Sequence, residues 1–497
     1  MKIKKNSQHT IEIESVTAKG FGIGHVNDFA IFVDGGLPGD KLLIHVVKVK
    51  TRYGYGKILN ILTPSPSRIK SPCPVSNHCG GCQWQHCDYQ AQLGFKKQIV
   101  TDALQRIGGI ENPPVNDVIG MENPSRYRNK AVFPVVPSDN KDGFAIGMYA
   151  PRSHRIIEVE DCGIQHEAHV RVLQTVKEHM RRHKISAYDE ITHKGLMRHI
   201  TIRTSLATKE IMVVLTINGK NIPAEGELNE NLTTIGVTTA IISRHESKGN
   251  AVLGDSFRVL FGKGFIREHL GTEGKAFTRS EARKRRPDSF RPERWGFGGR
   301  APIQIKYQLS APSFFQVNPL QAAVLYDVAL SQAQLNCTQT VIDAHVGVGG
   351  VALYAAKHVK HVIGVDIVPE AIEDAKKNAA LNGIENAEFI VGAAEDVIPK
   401  LLSGEMQSQV VFLDPPRKGC EPALLDALIT AKIERIVYIS CDPATLARDI
   451  KRLVGGGYNL AAVQPVDMFP MTGKVETSVN LIYNATSTAL AAYPSQL

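Results

Sequence analysis

The sequence predicts a multidomain α/β protein: a small N-terminal β-barrel, a central α+β domain with a cysteine cluster, and a C-terminal parallel sheet with helices on both faces. Three observations carry the prediction. The chain has 497 residues, too many for one ordinary core and enough for two to four domains. Residues 10–62 alternate short apolar strands with glycine turns, the pattern of a barrel. From about residue 304 continuous apolar strands alternate with amphipathic helices, as in a sheet buried on both faces.

In the first part, IEIESV, FAIFV, KLLIHVVKV and YGKILNIL are the strands, broken by GFGIG and GGLPGD. The following TPSPSRIKSP suits a linker, because proline removes backbone donors and disfavours continued pairing. Domains are therefore expected over residues 1–65, 66–303 and 304–497. Between about residues 93 and 270 helical and strand patterns alternate without an obvious nucleotide loop. Residues 271–303 break every pattern. There GKAFTRSEARKRRPDSFRPERWGFGGR sets nine Lys or Arg against three acids and supplies about two thirds of the formal net charge of +9. It reads either as a solvated insertion or as an electrostatic arm for RNA phosphates, with Phe290, Trp295 and Phe297 available for stacking.

The positive balance favours a polyanionic partner such as nucleic acid. No apolar run approaches a bilayer span, and MKIKKNSQHTIEIESV lacks the apolar block of a signal peptide, so a cytoplasmic protein with no membrane partner is expected. A monomer is the expected state. In that reducing compartment the eight cysteines, at 73, 79, 82, 87, 162, 337, 420 and 441, are thiols or metal ligands rather than a disulfide framework.

In the C-terminal part VIDAHVGVGG ends a strand at Asp343 and supplies Gly347, Gly349 and Gly350, where absent side chains allow a sharp turn and close approach to a ligand. About 20 residues later Asp366 ends the next strand, where a carboxylate can hydrogen-bond a ribose diol. The run GVGGVA is not the GxGxxG of a dinucleotide site, so S-adenosylmethionine fits better than NAD. Farther on, VVFLDPPRKGC places Asp414 at a strand end, with two prolines that fix the loop behind it. Arg417 and Lys418 follow, as phosphate contacts or as ordinary surface charges.

Two groups of cysteines stand out. VYISCDPATLARD puts Cys441 where an apolar run stops and a helix begins, so its thiol is a nucleophile or a buried packing group. CPVSNHCGGC spaces Cys73, Cys79 and Cys82 as CxxxxxCxxC, and HRIIEVEDC adds Cys162. Four thiolates hold zinc or an iron–sulfur cluster, and spacing does not choose between them. Cys87 fits no position in that set, and Cys337 and Cys420 read as packing thiols.

With these residues collected, the chain resembles the RNA (uracil-5-)-methyltransferase family. The resemblance rests on SFFQVNP (313–319), Asp343, Asp366, LDPPRKGC (413–420), ISCDPATLARD (439–449) and VETS (475–478). Upstream, RYRNKAVFPV, IGMYAPRSHRIIEVEDC and GLMRHITIRT resemble its central domain, and GFGIG with FVDGGLPGD resembles its TRAM module, an OB-like RNA-binding barrel. The resemblance implies a Rossmann-like S-adenosylmethionine-dependent domain with cofactor contacts at Gln316, His345, Asp366 and Asp414, beside the glycine turn at Gly347 and Gly350. It implies a nucleophile at Cys441, a base at Glu476, and a [4Fe-4S] cluster, rather than zinc, on Cys73, Cys79, Cys82 and Cys162. This sequence departs from the family at His345 (usually Tyr or Phe), Val346 (commonly Cys), Ala393 (often acidic) and Lys474 (often His).

The chemistry explains the residue types. Uracil C5 is a poor nucleophile until a thiolate adds to C6 and makes the ring an enolate. After methyl transfer a base must take the C5 proton so that the thiolate can leave. Amides at the start of the following helix can favour the Cys441 thiolate. The target uridine must be flipped out or already lie in an open loop. TRAM together with four cluster cysteines resembles the 23S ribosomal RNA enzymes more than the transfer RNA enzyme. The rival readings are a transfer RNA methyltransferase and a ribosome assembly factor that binds RNA but has lost activity.

Overall fold

The computed structural model describes residues 3–271, 304–403 and 408–484. Apart from Gly271, the basic insertion lies outside the described residues, as does the tail from residue 485.

Strands β1 (Gln8–Val16), β2 (Phe21–Val26), β3 (Phe29–Asp34), β4 (Lys41–Val49) and β5 (Tyr53–Thr63) form a closed barrel in the order β1-β2-β3-β5-β4. Alternate side chains point inward, so Ile11, Ile13, Ile31, Val33, Leu42, Ile44 and Val46 make its core. The buried Asp40 carboxylate ties down the exit from the barrel. It accepts the amides of Leu37 at 2.7 Å and Ser65 at 2.8 Å, and the Arg68 guanidinium. Burial alone would raise the Asp40 pKa, but Arg68 and the two amides hold it below the ordinary carboxylate value.

A helix, α1 (Tyr89–Arg106), follows the cysteine-rich loop. Next come β6 (Lys130–Pro137), β7 (Phe144–Tyr149), β8 (Ile156–Glu158), α2 (Ala168–Arg182), β9 (Met197–Thr204), β10 (Ile211–Ile217), α3 (Glu225–Thr234), β11 (Thr239–Arg244) and β12 (Ser256–Phe261). The central strands form one mixed sheet in the order β12-β11-β10-β9-β6-β7-β8. Val172, Val176 and Met180 recur every fourth residue along α2, and with Leu228 and Leu232 of α3 they bury against Phe133, Ile200 and Val213 of the sheet.

Strands β13 (Phe265–Gly271) and β14 (Gln304–Ser310) pair antiparallel, and their Ile266, Leu270, Ile305, Tyr307 and Leu309 join the core of the C-terminal unit. That unit continues with α4 (Pro319–Ala333), β15 (Thr340–Asp343), α5 (Gly350–Ala356), β16 (His361–Asp366), α6 (Pro369–Leu381), β17 (Ala387–Val391) and α7 (Ala394–Ser403). Then follow β18 (Val410–Leu413), α8 (Pro422–Thr430), β19 (Arg435–Ser440), α9 (Pro443–Gly455), β20 (Tyr458–Val466) and β21 (Glu476–Tyr483). The sheet order is β17-β16-β15-β18-β19-β21-β20. Strands β15 to β19 are parallel, as their uninterrupted apolar runs predict. β21 runs antiparallel to both its neighbours, β19 and β20, so the sheet is mixed rather than wholly parallel.

Packing crosses the suggested domain limits. Val100 and Leu104 of α1 bury in the C-terminal core beside Leu446 and Ile450 of α9. Residues Val115 and Ile119 bridge in parallel to Val463 and Val466 at the β20 edge. One ion pair fixes this junction. Lys96 of α1 and Asp467, both fully buried, lie 2.5 Å apart, and Lys96 also donates to the Phe469 carbonyl at 3.1 Å. Asp467 accepts in addition the Tyr89 hydroxyl at 2.9 Å and the Phe469 amide at 3.1 Å. Among the described residues no helix is long and apolar enough to cross a membrane.

Removing one partner of a buried pair leaves the other charge unanswered. Lys96→Met is therefore expected to lower stability by about 3–5 kcal/mol, read as a fall in the urea midpoint. An unchanged midpoint would show that the pair does not hold the junction.

Candidate active site

The sheet order reverses beside β15, whose neighbours are β16 and β18, and at such points open α/β sheets bind ligands beyond the strand ends. A cavity of about 1250 Å³ lies there. Gln316, His345, Gly347, Gly350, Asp366, Asp414, Cys441 and Glu476 all line it, so every predicted cofactor and catalytic position falls on one surface.

The first corner is built on glycine turns. Asp343 ends β15, and its buried carboxylate braces the turn by accepting the amides of Ala352 at 3.1 Å and His345 at 3.4 Å. Gly347, at φ +53°, donates to Asp366 Oδ2 at 2.9 Å, while Asp366 Oδ1 accepts the Val368 amide at 2.9 Å. A Cβ at Gly347 would meet open space, so that position needs glycine for its backbone angle. At Gly350 a Cβ would come within 2.8 Å of the Tyr326 hydroxyl, so there the need is closeness. The His345 ring is neutral, with its pKa held down to about 4 by burial, and its Nδ1 is buried with no hydrogen-bond partner among the described residues.

The second corner comes from the antiparallel strand. β21 runs against β19 with Ser440 opposite Thr477, so the next step of that register sets Cys441 against Glu476. Glu476 is 5 % exposed. Burial, and then Asp414, push its pKa up to about 8, against the pull of Lys474 and Arg417. Burial raises Asp414 to about 7, and burial with Asp414 beside it raises Asp343 to about 7. The Cys441 thiol is pushed up to about 11 by burial, then by Glu476 and Asp414, with Arg417 opposing.

The helix amides therefore do not activate the resting thiol, contrary to the reading of the sequence. Pro443 opens α9 without an N–H, and the Asp442 carboxylate takes the next amides, Ala444 at 3.0 Å and Thr445 at 3.1 Å. Asp442, not Cys441, answers the positive end of the helix.

The tRNA (Uracil-5-)-methyltransferase family matches residues 299–484, and the TRAM domain matches residues 4–59. A protein of Halalkalibacterium halodurans named as an uncharacterized RNA methyltransferase is 43% identical over 477 residues, covering 96% of this chain and 97% of its own. One of the same description from Clostridium tetani is 43% identical, covering 97% of each chain. The chain belongs to the RNA (uracil-5-)-methyltransferase family. Its fold is similar to that of a crystal structure of Pyrococcus abyssi tRNA (uracil-54, C5)-methyltransferase in complex with S-adenosyl-L-homocysteine. The TM-score is 0.70 at 26% identity, over 95% of this chain and 100% of that one.

In this methyltransferase Cys73, Cys79, Cys82 and Cys162 stand away from the cavity but close enough to one another to interact. The Cys82 thiol is raised to about 12 by burial, with Cys162, Cys79 and Cys73 adding to the rise. Donors face the sulfurs: Gly81 N to Cys79 at 3.4 Å and Gln85 Nε2 to Cys82 at 3.5 Å, with the Ile164 and Gln165 amides on Cys162. Cys87 is buried and donates to the Asp88 carbonyl at 3.4 Å, outside that group. The loop is anchored to the active site through Gln83 N and Trp84 N, each 3.0 Å from the Met471 carbonyl. Met471 itself sits at φ +67°, an uncommon angle for a side-chain-bearing residue.

Several residues of the methyltransferase cavity were not singled out as sites. Lys474, noted only as a departure, lines it, and its pKa is lowered by burial and by Arg417 while Cys441 and Glu476 oppose the shift. Its place two residues before Glu476 was the available signal. Tyr326 and Phe469 also line the cavity, with no local motif to mark them. Phe314, two residues before Gln316 in SFFQ, is 71 % exposed at the rim. The departures His345, Val346 and Ala393 all lie on the cavity wall.

A thiol held near 11 is mostly protonated at neutral pH. Alkylation of Cys441 by iodoacetamide, followed by peptide mass spectrometry, is expected to quicken about tenfold per pH unit between about pH 7 and pH 9. In Glu476→Gln, where the carboxylate that ionises above about pH 8 is gone, the Cys441 thiol should ionise at lower pH and alkylation at pH 9 should be faster. A rate independent of pH would contradict the electrostatics described.

Proposed function

We propose that the protein methylates C5 of a uridine in structured RNA in the cytoplasm, through a transient bond between Cys441 Sγ and C6 of the base. The observation that carries this reading is the register that sets Cys441 against Glu476 at the wall of a cavity whose other corner is a glycine turn and Asp366. S-adenosylmethionine, when bound, supplies an electrophilic methyl group. Gln316, His345, Gly347, Gly350, Asp366 and Asp414 are the residues that would hold it, and a cationic sulfonium beside the buried Asp414 carboxyl, raised to about 7, would draw that group to its ionised form.

Cys441 adds to C6 and the electron pair of the C5–C6 bond moves toward O4, so that C5 becomes nucleophilic. Arg417 and Lys474 are the cations beside the thiol, and they favour its ionised form and the developing enolate oxygen. Once C5 bears the methyl group, Glu476 takes its proton and the C6–S bond breaks, returning the thiolate. Phe314, exposed at the rim, is placed to stack on a flipped base.

Cys73, Cys79, Cys82 and Cys162 would hold a [4Fe-4S] cluster, with zinc the alternative, and its role would be structural. The donor set fits, since four neighbouring thiols share one region and three of them, Cys79, Cys82 and Cys162, receive N–H donors, and the loop that bears three of the cysteines is bonded to Met471, ahead of Lys474 and Glu476. Ribosomal RNA is the substrate this reading favours, from the TRAM module combined with four cluster cysteines. A second reading, transfer RNA, is motivated by the substrate named for the Pyrococcus abyssi protein.

The test is incubation with labelled S-adenosylmethionine and unmodified 23S ribosomal or transfer RNA, followed by nucleoside analysis. 5-Methyluridine in ribosomal RNA is the expected product, and RNA binding without incorporation would favour the assembly-factor reading. Cys441→Ala should abolish turnover. Glu476→Gln should slow it by about 10²–10⁴-fold and accumulate a covalent protein–RNA species on denaturing gels. Activity retained in Cys441→Ala would end the covalent assignment. Anaerobic purification should yield about four irons per chain, with visible absorbance lost in Cys82→Ser; zinc in their place would decide for the other centre.

A further inference from the structure

Away from the cavity, α2 and α3 bring two imidazoles and a carboxylate together. His179 and His183 stand one helical turn apart with ring centroids 4.5 Å from each other, and Glu227 comes from the first turn of α3. One ligating atom of each lies within 4.8 Å of the other two. His179 is 3 % exposed. Its Nε2 donates to the Pro223 carbonyl at 2.9 Å, which makes Nδ1 the bare acceptor nitrogen, and Nδ1 is buried with no hydrogen-bond partner among the described residues. A buried acceptor without a donor is costly, and a metal-ligating imidazole characteristically donates its other N–H to a carbonyl in this way. Burial also holds the His179 pKa below its ordinary value, so the ring is neutral as a ligand must be.

His183 Nε2 lies 2.9 Å from Glu227 Oε2, while Arg182 Nη1 takes Oε1 at 2.5 Å. The guanidinium thus engages one carboxylate oxygen and leaves the other directed at the imidazoles.

We propose that His179 Nδ1, His183 Nε2 and Glu227 Oε2 form a binding site for a borderline-soft divalent cation of the Zn²⁺ type. Two nitrogens and one carboxylate suit Zn²⁺ and its transition-metal neighbours, whereas Mg²⁺ and Ca²⁺ require oxygen donors throughout. On binding, the neutral His183 ring carries its proton on Nδ1 so that Nε2 offers its lone pair, and water completes the tetrahedron. The His183 and Glu227 side chains are 23% and 34% exposed, so an ion has access from solvent. None of the three residues lines the methyl-transfer cavity, and none belongs to the cysteine set. The bound ion would clamp the end of α2 to the start of α3.

The test uses the full-length protein, titrated with Co²⁺ and followed by visible absorption, competition with Zn²⁺ and thermal unfolding. Thiolate charge-transfer absorption marks any ion at cysteine. One equivalent is expected with ligand-field bands but without that absorption, displaced by Zn²⁺ and accompanied by a rise in Tm. His183→Gln and Glu227→Gln, each checked for an unchanged fold by circular dichroism without metal, should each weaken binding about tenfold or more. Failure to bind an equivalent of this kind, or equal affinity in either folded variant, overturns the site.

Discussion

Three carboxyl groups and a thiol share one cavity, where Asp414 makes it harder for Asp343, Glu476 and Cys441 to ionise and Glu476 adds to the effect on Cys441. Asp343 and Asp414 are raised to about 7, Glu476 to about 8 and Cys441 to about 11, with burial the largest cause every time. The resting site therefore stores protons near neutral pH. Arg417 and Lys474 are the opposing charges, and a cationic ligand beside Asp414 would add to them. In the proposed reaction, occupation of the cavity by a cation and ionisation of the Cys441 thiol would be coupled through this shared field.

Such a site needs rigid walls, and the structure draws them from distant segments. Lys96 and Asp467 lock α1 to the loop before β21, Gln92 Oε1 accepts the Met471 amide at 2.9 Å, and the cysteine loop bonds to the Met471 carbonyl. Asn318 and Gln321, around the start of α4, hold the Met468 and Asp467 carbonyls at 3.1 Å each. The segment leading to Glu476 is thus gripped from three directions, so the carboxylate cannot drift from the thiol without disturbing α1 or the cysteine loop. The cysteine loop thus bears on the position of Glu476 through hydrogen bonds alone.

Much of the first corner was legible in the sequence because it is local. A strand, a glycine turn and a helix follow one another within VIDAHVGVGG, and Asp366 ends the next strand of the same repeat. The barrel was legible for the same reason, its strands being separated by short turns. The second corner was not legible by periodicity, since β21 inserts between β19 and β20 and Cys441 meets Glu476 only through that long-range pairing. Resemblance of VETS and ISCDPATLARD to a family supplied those two residues. The amides at the start of α9 do not serve Cys441 because the Asp442 carboxylate caps that helix, a contact that the local sequence left open. Likewise α1 follows a linker and the cysteines yet packs on the C-terminal sheet, a choice made by Val100, Leu104 and Lys96 against partners hundreds of residues away.

The central claim is that sulfur at position 441 bonds to the pyrimidine before its neighbouring carbon takes the methyl group. RNA carrying 5-fluorouridine at the target tests it most directly, since fluorine at C5 cannot be removed as a proton and the adduct should persist. Intact mass spectrometry after reaction with S-adenosylmethionine is predicted to show protein plus RNA plus one methyl group, with the linkage mapped to the peptide containing Cys441. A methylated but unattached RNA, or a linkage at another residue such as Cys420, would contradict the account.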